Sequence, residues 1–315
     1  MANRNPYNVT TVCMRLNAAR GTLFAAFIAV CFTAAHPSYG QVTSNVLRRT
    51  VLIQSSMVGT AFTIDVDGRQ YLITAKHVIR KLPNEAATTI QIRKKNGWAP
   101  LTVTVFKCDD PVDIAVLVPA TQVTVNFPLE PTSNGMAAGQ DAYFVGFPYG
   151  SFTTYTTQPD VFGFVKRATV ARFDRVPEDA RAQIIQLDGY NNPGFSGSPV
   201  VYRDLSQSGL VFKVAGVLVS YVYDASPVVN KKQEIREDEI TAEDRERDDV
   251  VRTISDGKFY RVEDTKQLVK LNSGIATAWD IGSAVDLIRK HPIGPKAADT
   301  FTGEDAGSQV HVPQP

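Results

Sequence analysis

The chain has 315 residues, of which 43% are hydrophobic and 21% are charged, and its formal net charge is +1. This is the composition of an ordinary globular protein, long enough for one large domain or two small ones. The near-neutral charge gives no indication of a nucleic-acid-binding surface or of a strongly acidic partner.

The first 40 residues predict a secretory signal peptide. A basic lead with three arginines precedes an apolar run from Thr22 to Ala35, and small residues follow it. The run has about 14 residues, whereas a membrane span needs about 20. We expect cleavage after Gly40, with cleavage after Ala35 as the alternative and an uncleaved N-terminal anchor as the competing interpretation. The bulk of the protein is then periplasmic or secreted.

Cysteine usage agrees with this compartment. Cys13 and Cys31 belong to the leader, so Cys108 is the single cysteine of the mature chain and no internal disulfide forms. That pattern suits a bacterial periplasmic or cell-surface protein better than a secreted animal protein of this size. We expect Cys108 to be a small core residue, with a reactive thiol as the alternative. Zinc-ligand spacings are absent, and we expect no metal or cofactor.

Short strands follow one another from Val51 to about Tyr223. They are rich in Val, Ile, Thr, Phe and Tyr, and Gly, Pro, Asp and Asn separate them. Asp67-Gly68 predicts a tight hairpin turn, since both residues tolerate positive φ. About eleven such strands without a long helix predict an all-β fold, either an antiparallel sandwich or a pair of barrels.

A charged insertion is predicted over residues 229–256. Between Lys231 and Asp249, 14 of 19 residues are charged, with both signs mixed. Such a segment is expected to bury nothing, so we interpret it as a solvated helix or a mobile insertion. A competing hypothesis is that it gates access to a site or binds a partner.

The C-terminal part contains two more strand signals, one helix and a tail. GKFYRV and SGIATAW read as strands, and Asp280 caps a predicted helix over IGSAVDLIRKH, whose apolar residues recur at helical spacing. Residues 293–315 are polar and rich in Gly and Pro, which predicts a disordered tail.

His77 is the one histidine within the strand-rich body, at the end of the strand in YLITAKHVI. An inert, hydrogen-bonded histidine is the simpler interpretation. The alternative is a general base, because imidazole titrates near neutral pH and can activate a serine hydroxyl. Such a base needs a carboxylate to fix its tautomer. Asp113 is the best candidate because it directly precedes the apolar strand IAVLV, while Asp109 and Asp110 read as turn residues.

NNPGFSGSPVVY, residues 191–202, encloses a serine between glycines. An ordinary turn is one interpretation. The other is that the chain bends so that the amides of Gly194 and Ser196 converge on a developing oxyanion while the Ser196 hydroxyl attacks. The motif is not the G-x-S-x-G elbow of α/β-hydrolases, because Ser198 stands where that motif has glycine.

These motifs, in the order TAKHV, DIAVL and GFSGSP, resemble those of the chymotrypsin/trypsin-like serine peptidases, and the bacterial Deg-type (high-temperature-requirement) branch looks most similar. The resemblance covers roughly Val51 to His291 and implies two antiparallel six-stranded β-barrels with a C-terminal helix, over a domain of residues 41–292. It implies that His77 is the base, Asp113 its orienting carboxylate and Ser196 the nucleophile, with the Gly194 and Ser196 amides as the oxyanion hole. No PDZ-like domain is expected after the final helix.

Three residues depart from the family pattern. Lys76 replaces a small residue beside the histidine, and we expect it to point to solvent. Phe195 replaces Asn or Asp, so activation through a newly released N-terminus is not expected. Ser198 replaces glycine and is expected to crowd the turn slightly.

The predicted function is a secreted serine endopeptidase whose partner is a peptide or protein substrate. Tyr190, Asn191 and Asn192 are expected to line the primary specificity pocket, with a small or medium apolar preference. Two alternatives remain: a catalytically silent binding module of the same fold, and an esterase that uses the same three residues. No nucleic acid partner is expected, nor any membrane contact beyond an uncleaved leader, and the sequence does not indicate an oligomeric state.

Overall fold

The computed structural model describes residues 42–125, 129–154, 160–177, 179–207 and 210–297. The predicted signal peptide and most of the predicted tail lie outside these residues. Within them, no helix is long and apolar enough to cross a membrane.

Six strands close into the first barrel. In chain order they are β1 (Thr50–Gln54), β2 (Val58–Val66), β3 (Arg69–Ala75), β4 (Ala86–Lys94), β5 (Gly97–Lys107) and β6 (Ile114–Pro119). Their order around the barrel is β1-β2-β3-β6-β5-β4, and β4 pairs back to β1 through Ile53 and Ile92. A short helix, α1 (Ser44–Arg49), leads into β1. Asp67 and Gly68 both have positive φ at the β2–β3 turn, as the sequence predicts.

Eight further strands build a second sheet, which also closes. They are β7 (Glu130–Pro131), β8 (Asp141–Gly146), β11 (Phe164–Val176), β12 (Asp179–Asp188), β13 (Pro199–Arg203), β14 (Phe212–Ile235), β15 (Val250–Arg252) and β16 (Phe259–Asp280). Two short strands, β9 (Thr153–Thr154) and β10 (Val161–Phe162), pair with each other as a separate two-stranded sheet. Strands β8, β11, β12, β16, β14 and β13 form a ring because β14 pairs with β16 and β13 pairs with β8. The fold is therefore the predicted pair of antiparallel six-stranded barrels.

Strand β8 of the second barrel is buried on both of its faces. Ala142 and Phe144 point into the barrel, whereas the alternate residues Tyr143 and Val145 belong to the apolar cluster that fills the first barrel. Successive side chains of a strand point to opposite faces, so a strand buried on both sides carries a continuous apolar run. The two barrels therefore share one apolar interface.

The charged insertion forms an ordered projection rather than a mobile loop. β14 and β16 continue beyond the barrel as a two-stranded ribbon, with Tyr223 paired to Asn272 at its base and Ile235 paired to Phe259 near its tip. We call residues 223–272 the arm. Its tip contains α2 (Ala242–Glu246) and β15. GKFYRV and SGIATAW, predicted as two strands, are parts of the single strand β16.

A buried ion pair explains why this charged segment is ordered. Asp244 is 4% exposed, and it pairs with Arg261 and accepts hydrogen bonds from Thr241. A carboxylate with such partners is buried at little net cost. The expectation that the segment buries nothing was wrong at this residue, because charge composition does not show which charges pair.

The C-terminal helix, α3 (Gly282–Lys290), follows the second barrel in sequence but packs on the first. Asp280 accepts a hydrogen bond from Gly282 at its start, and His291 stacks on Phe106 of β5 with ring centroids 4.2 Å apart. Residues 293–297, predicted as part of a disordered tail, then bond to the β2–β3 hairpin. Pro295 accepts from the Gln70 amide at 3.0 Å, a long-range contact that a Gly- and Pro-rich composition does not reveal.

Candidate active site

His77 and Asp113 are brought together by strand pairing in the first barrel. Ala75, the last residue of β3, pairs with Ile114, the first residue of β6, so the residue two after Ala75 meets the residue before Ile114. His77 Nδ1 lies 2.6 Å from Asp113 Oδ2, and the His77 amide donates to Asp113 Oδ1 at 2.9 Å. One carboxylate therefore holds both the ring and the backbone of the histidine.

The competing carboxylates lie elsewhere. Asp110 is exposed and pairs with Lys76 Nζ at 2.5 Å, and this ammonium group lowers the pKa of Asp110. Asp109 is also exposed. Lys76 Nζ bonds further to the Cys108 carbonyl at 3.1 Å and is thereby turned toward the 108–110 loop. Its half-buried position differs from the expected solvent-pointing one.

The turn that carries Ser196 requires both of its glycines. Gly194 has φ +100° and Gly197 has φ +87°, values that other residues rarely adopt. Space is also limiting, since a Cβ at Gly194 would lie 2.2 Å from the Phe147 carbonyl oxygen. At Gly197 it would lie 2.1 Å from the Thr60 carbonyl oxygen and 3.0 Å from the Ala75 amide. The turn is thus pressed against the strand end that leads to His77.

Two amides in this turn have no acceptor among the described residues. The Phe195 amide donates to Asn192, the Gly197 amide to Leu218 and the Ser198 amide to Phe195, all to carbonyl oxygens. The Gly194 and Ser196 amides, by contrast, donate to no group in the described part of the chain. Paired free N–H groups beside a serine are the arrangement that an oxyanion hole needs.

Thr60 on β2 is a positioning residue that the sequence did not single out. Its amide donates to the Ser196 carbonyl at 2.9 Å, and its hydroxyl donates to the Gly194 carbonyl at 2.8 Å. The same hydroxyl accepts from the Phe147 amide at 3.2 Å. A fully buried threonine in an apolar strand gives no sequence signal beyond its polarity, so only the barrel-to-barrel contact reveals its role.

The two unusual residues of the motif fit the second barrel. Phe195 is fully buried and meets Phe144 edge to face with ring centroids 5.1 Å apart. Ser198 is also fully buried, and a Cβ at Gly146 would lie 2.2 Å from its Oγ. The absence of a side chain at Gly146 therefore provides the room that Ser198 needs, and the expected crowding does not arise.

The three residues predicted for the specificity pocket differ in exposure. Tyr190 is 55% exposed, whereas Asn191 is 3% exposed and donates to the Ser220 carbonyl at 3.1 Å. Lys166 of β11 binds the Tyr190 carbonyl at 2.7 Å and the Asn192 side-chain oxygen. This cation was not anticipated, because the pairing of β11 that brings it here is not visible in the local sequence. Partial burial lowers the pKa of Lys166.

Cys108 is half-buried, and burial raises the pKa of its thiol to about 12. A protonated thiol is a poor nucleophile, so its environment favours the structural interpretation over a reactive one. Within the residues described by the structure, no group of three or more His, Cys, Asp or Glu side chains is placed to hold a metal ion.

Comparisons with known proteins relate the chain to peptidases. Residues 59–211 match the family described as the trypsin-like peptidase domain. No curated protein matches the sequence. Similar solved structures include the Rv3671c protease of M. tuberculosis H37Rv in an inactive form, with 16% identity, coverage of 78% of this chain and 89% of that chain, and a TM-score of 0.43.

Two further solved structures have a similar sequence identity and TM-score to this chain. The HtrA-type protease AlgW with a decapeptide is 15% identical, with 79% of this chain and 66% of that chain covered and a TM-score of 0.46. The serine endoprotease from Yersinia pestis is 20% identical, with 60% and 59% covered and a TM-score of 0.39.

Proposed function

We propose that this chain, whose residues 59–211 match the trypsin-like peptidase domain, hydrolyses peptide bonds through Ser196, His77 and Asp113. The observation that carries the proposal is the contact between His77 and Asp113 at 2.6 Å on one barrel, opposite a serine turn with two free amides on the other. Each part has an inert explanation alone, but together they match the needs of acyl transfer.

In this mechanism the Ser196 hydroxyl attacks the carbonyl carbon of the scissile bond while His77 Nε2 takes its proton. Asp113 accepts the Nδ1 proton of His77, which fixes the tautomer and stabilises the imidazolium. The Gly194 and Ser196 amides stabilise the oxyanion, and each such donor is typically worth about 3 kcal/mol. His77 then protonates the leaving amine, and water hydrolyses the acyl-enzyme by the same steps.

The primary pocket is proposed to exclude cationic side chains. Lys166 lies 5.5 Å from the Tyr190 ring and bonds to the backbone and side chain of the pocket residues Tyr190 and Asn192. A second cation there is disfavoured by charge repulsion. Lys166 therefore gives an electrostatic reason against a preference for Arg or Lys, which is compatible with the apolar preference expected from the sequence.

We also propose that the protein acts outside the cytoplasm, after export through the N-terminal leader. The support is the basic and apolar pattern of the first 40 residues. N-terminal sequencing of the protein from the native compartment is expected to give Gln41 as the first residue. A chain that begins at Met1 contradicts cleavage and favours the anchor.

A fluorophosphonate probe tests the catalytic proposal, because it labels only an activated serine. Labelling of the wild type is expected to disappear in Ser196→Ala. Ser198→Ala is a matched control and should keep the label, since the Ser198 hydroxyl is buried and has no hydrogen-bond partner among the described residues. No labelling of the folded wild type would favour a silent binding module.

The same preparation separates peptidase from esterase activity. We expect cleavage of an unstructured protein substrate as well as of ester substrates, both lost in Ser196→Ala. Hydrolysis of esters alone by a well-labelled enzyme would favour the esterase interpretation. The silent-module interpretation is disfavoured by Phe195, which is buried inside the second barrel rather than lying across the cleft.

A further inference from the structure

A cavity of about 470 Å³ lies next to Gly194, at the junction of the two barrels. Its first-barrel wall includes Val58, Arg93 and Trp98, and its second-barrel wall includes Tyr149 and Phe152. Its size is in the range of small-ligand sites. We call it the Arg93 pocket.

Arg93 provides the single charged side chain among the described residues that line this pocket. Its guanidinium carbon lies 5.0 Å from the Phe152 ring centroid and 5.7 Å from that of Trp98. Trp98 is its cross-strand partner in the β4–β5 pair. The two rings therefore orient the guanidinium by stacking and cation–π contact.

The guanidinium has an unused donor. Among the described residues, buried Arg93 Nε has no hydrogen-bond partner and Arg93 forms no ion pair with a carboxylate. The neighbouring Lys94 differs in this respect, since it pairs with Asp160 at 2.7 Å. A buried donor without an acceptor is costly, and a bidentate carboxylate is the acceptor that fits the guanidinium fork best.

The location of the Arg93 pocket relates it to the part of the substrate that leaves when the scissile bond is broken. The proposed primary pocket lies beside Tyr190–Asn192, which contact β14 and β16 of the second barrel through Ser220 and Asn272. The Arg93 pocket is lined by Pro193 and Gly194, which directly follow Asn192, and by side chains of the first barrel. If the acyl half of a substrate occupies the primary pocket, the leaving half extends across Gly194 toward Arg93.

We propose that the Arg93 pocket is a leaving-side subsite that binds a carboxylate of the substrate. This inference rests on the proposed peptidase function. The carboxylate is either an Asp or Glu side chain within the first two residues after the scissile bond, or the free C-terminus of a peptide that ends there. The apolar walls strengthen the pairing because they exclude water and lower the local dielectric.

Matched quenched-fluorescence peptides test the subsite. Peptides that share one cleaved sequence carry Glu, Gln or Lys at the two positions after the scissile bond. We expect kcat/KM to be about tenfold to a hundredfold higher for Glu than for Gln, as a charge-assisted hydrogen bond implies. In Arg93→Met the ratio of kcat/KM for the Glu peptide to that for the Gln peptide should fall to about one. In Arg93→Lys this ratio should be intermediate.

Lys94→Met is the control, because it removes a neighbouring charge of the same strand that does not line the pocket. Lys94→Met should keep the wild-type ratio of kcat/KM between the Glu and Gln peptides. Truncated peptides with a free or an amidated C-terminus then distinguish the two carboxylate sources. Equal cleavage of Glu and Gln peptides by the wild type, or a preference that survives Arg93→Met, would overturn the subsite.

Binding to an inactive variant separates this inference from the function on which it rests. In Ser196→Ala, a dye-labelled leaving-side peptide with Glu should bind at least tenfold more tightly than its Gln counterpart, as measured by fluorescence anisotropy. Adding Arg93→Met should abolish the difference. Equal binding contradicts the subsite whether or not the wild type is active, while absence of fluorophosphonate labelling contradicts the peptidase proposal alone.

Discussion

At the scale of single residues, the His77–Asp113 pair depends on where two strands begin and end. The contact between His77 and Asp113 could be expected from the sequence because each lies at the border of an apolar strand, and those borders are visible in the residue pattern. It does not show that Asp110 is held by Lys76, because that contact joins two loops. Thr60 was missed for the same reason, since its partners come from the other barrel.

Replacing Asp113 by Asn tests the role of the carboxylate. The substitution keeps the shape but removes the negative charge that orients and stabilises the imidazolium, so we expect kcat to fall by about 10⁴-fold. Steady-state hydrolysis of a peptide substrate measures this change in kcat. Asp110→Asn is the control, because Asp110 is exposed and paired with Lys76. The activity of this variant should stay within about twofold of the wild type. A mild effect at Asp113 would mean that this carboxylate does not orient or stabilise a catalytic imidazolium.

At the scale of elements, the arm is the part of the fold that composition predicts least well. Its residues are charged and mostly exposed, yet β14 and β16 stay paired from Tyr223 to Ile235. Backbone pairing and a few specific ion pairs hold it together, and neither depends on the hydrophobic pattern from which strands are usually inferred. The order of the tip depends on Asp244.

The stability of the tip is expected to depend on pH through Asp244. Hydrogen bonds from Arg261 and Thr241 lower the pKa of Asp244 from 3.8 to about 2. Because the pKa of Asp244 is lower in the folded state, ionised Asp244 contributes fully to the stability of the tip above about pH 3.8. This stabilisation is lost as the pH falls toward 2. NMR shifts of tip amides should report loss of tip structure in that window.

The neutral variant Asp244→Asn should loosen the tip already at pH 6. Asp238→Asn is the control, since Asp238 is 71% exposed and its pairing with Arg236 is solvent-accessible. It should leave the tip spectrum unchanged at pH 6. Tip amides that are unaffected by Asp244→Asn would show that the ribbon itself, rather than this ion pair, orders α2.

At the scale of the whole molecule, the candidate site exists only where the barrels meet. The first barrel supplies His77 and Asp113, the second supplies the Ser196 turn, and Thr60 connects them by hydrogen bonds to Gly194 and Ser196. The sequence predicts both barrels because each strand carries its own signal. Their docking involves contacts between residues more than 100 positions apart, which no local pattern encodes.

Thr60→Val tests this connection. Valine keeps the volume but leaves the Gly194 carbonyl and the Phe147 amide without their side-chain partner. We expect kcat to fall about tenfold to a hundredfold, because the oxyanion donor is no longer held in place, with a smaller change in KM. Single-turnover kinetics with an ester substrate measure the acylation step directly.

Thr50→Val is the matched control. Thr50 is also a buried threonine, and its hydroxyl donates to the Val46 carbonyl at 2.8 Å, away from the candidate site. It should lower the free energy of unfolding by about 1 kcal/mol without changing kcat. If both variants lose activity in proportion to their stability, Thr60 has only a structural role.

The packing of α3 and residues 293–297 on the first barrel bears on how the protein is made. Phe106 and the Gln70 amide belong to the first barrel, and both wait for partners that are synthesised after the second barrel. Until then, that barrel presents an unfinished apolar surface and an unpaired hairpin edge. A nascent chain stalled before Gly282 therefore carries a target for chaperones, and the first barrel is complete only after residues 282–297 have been synthesised.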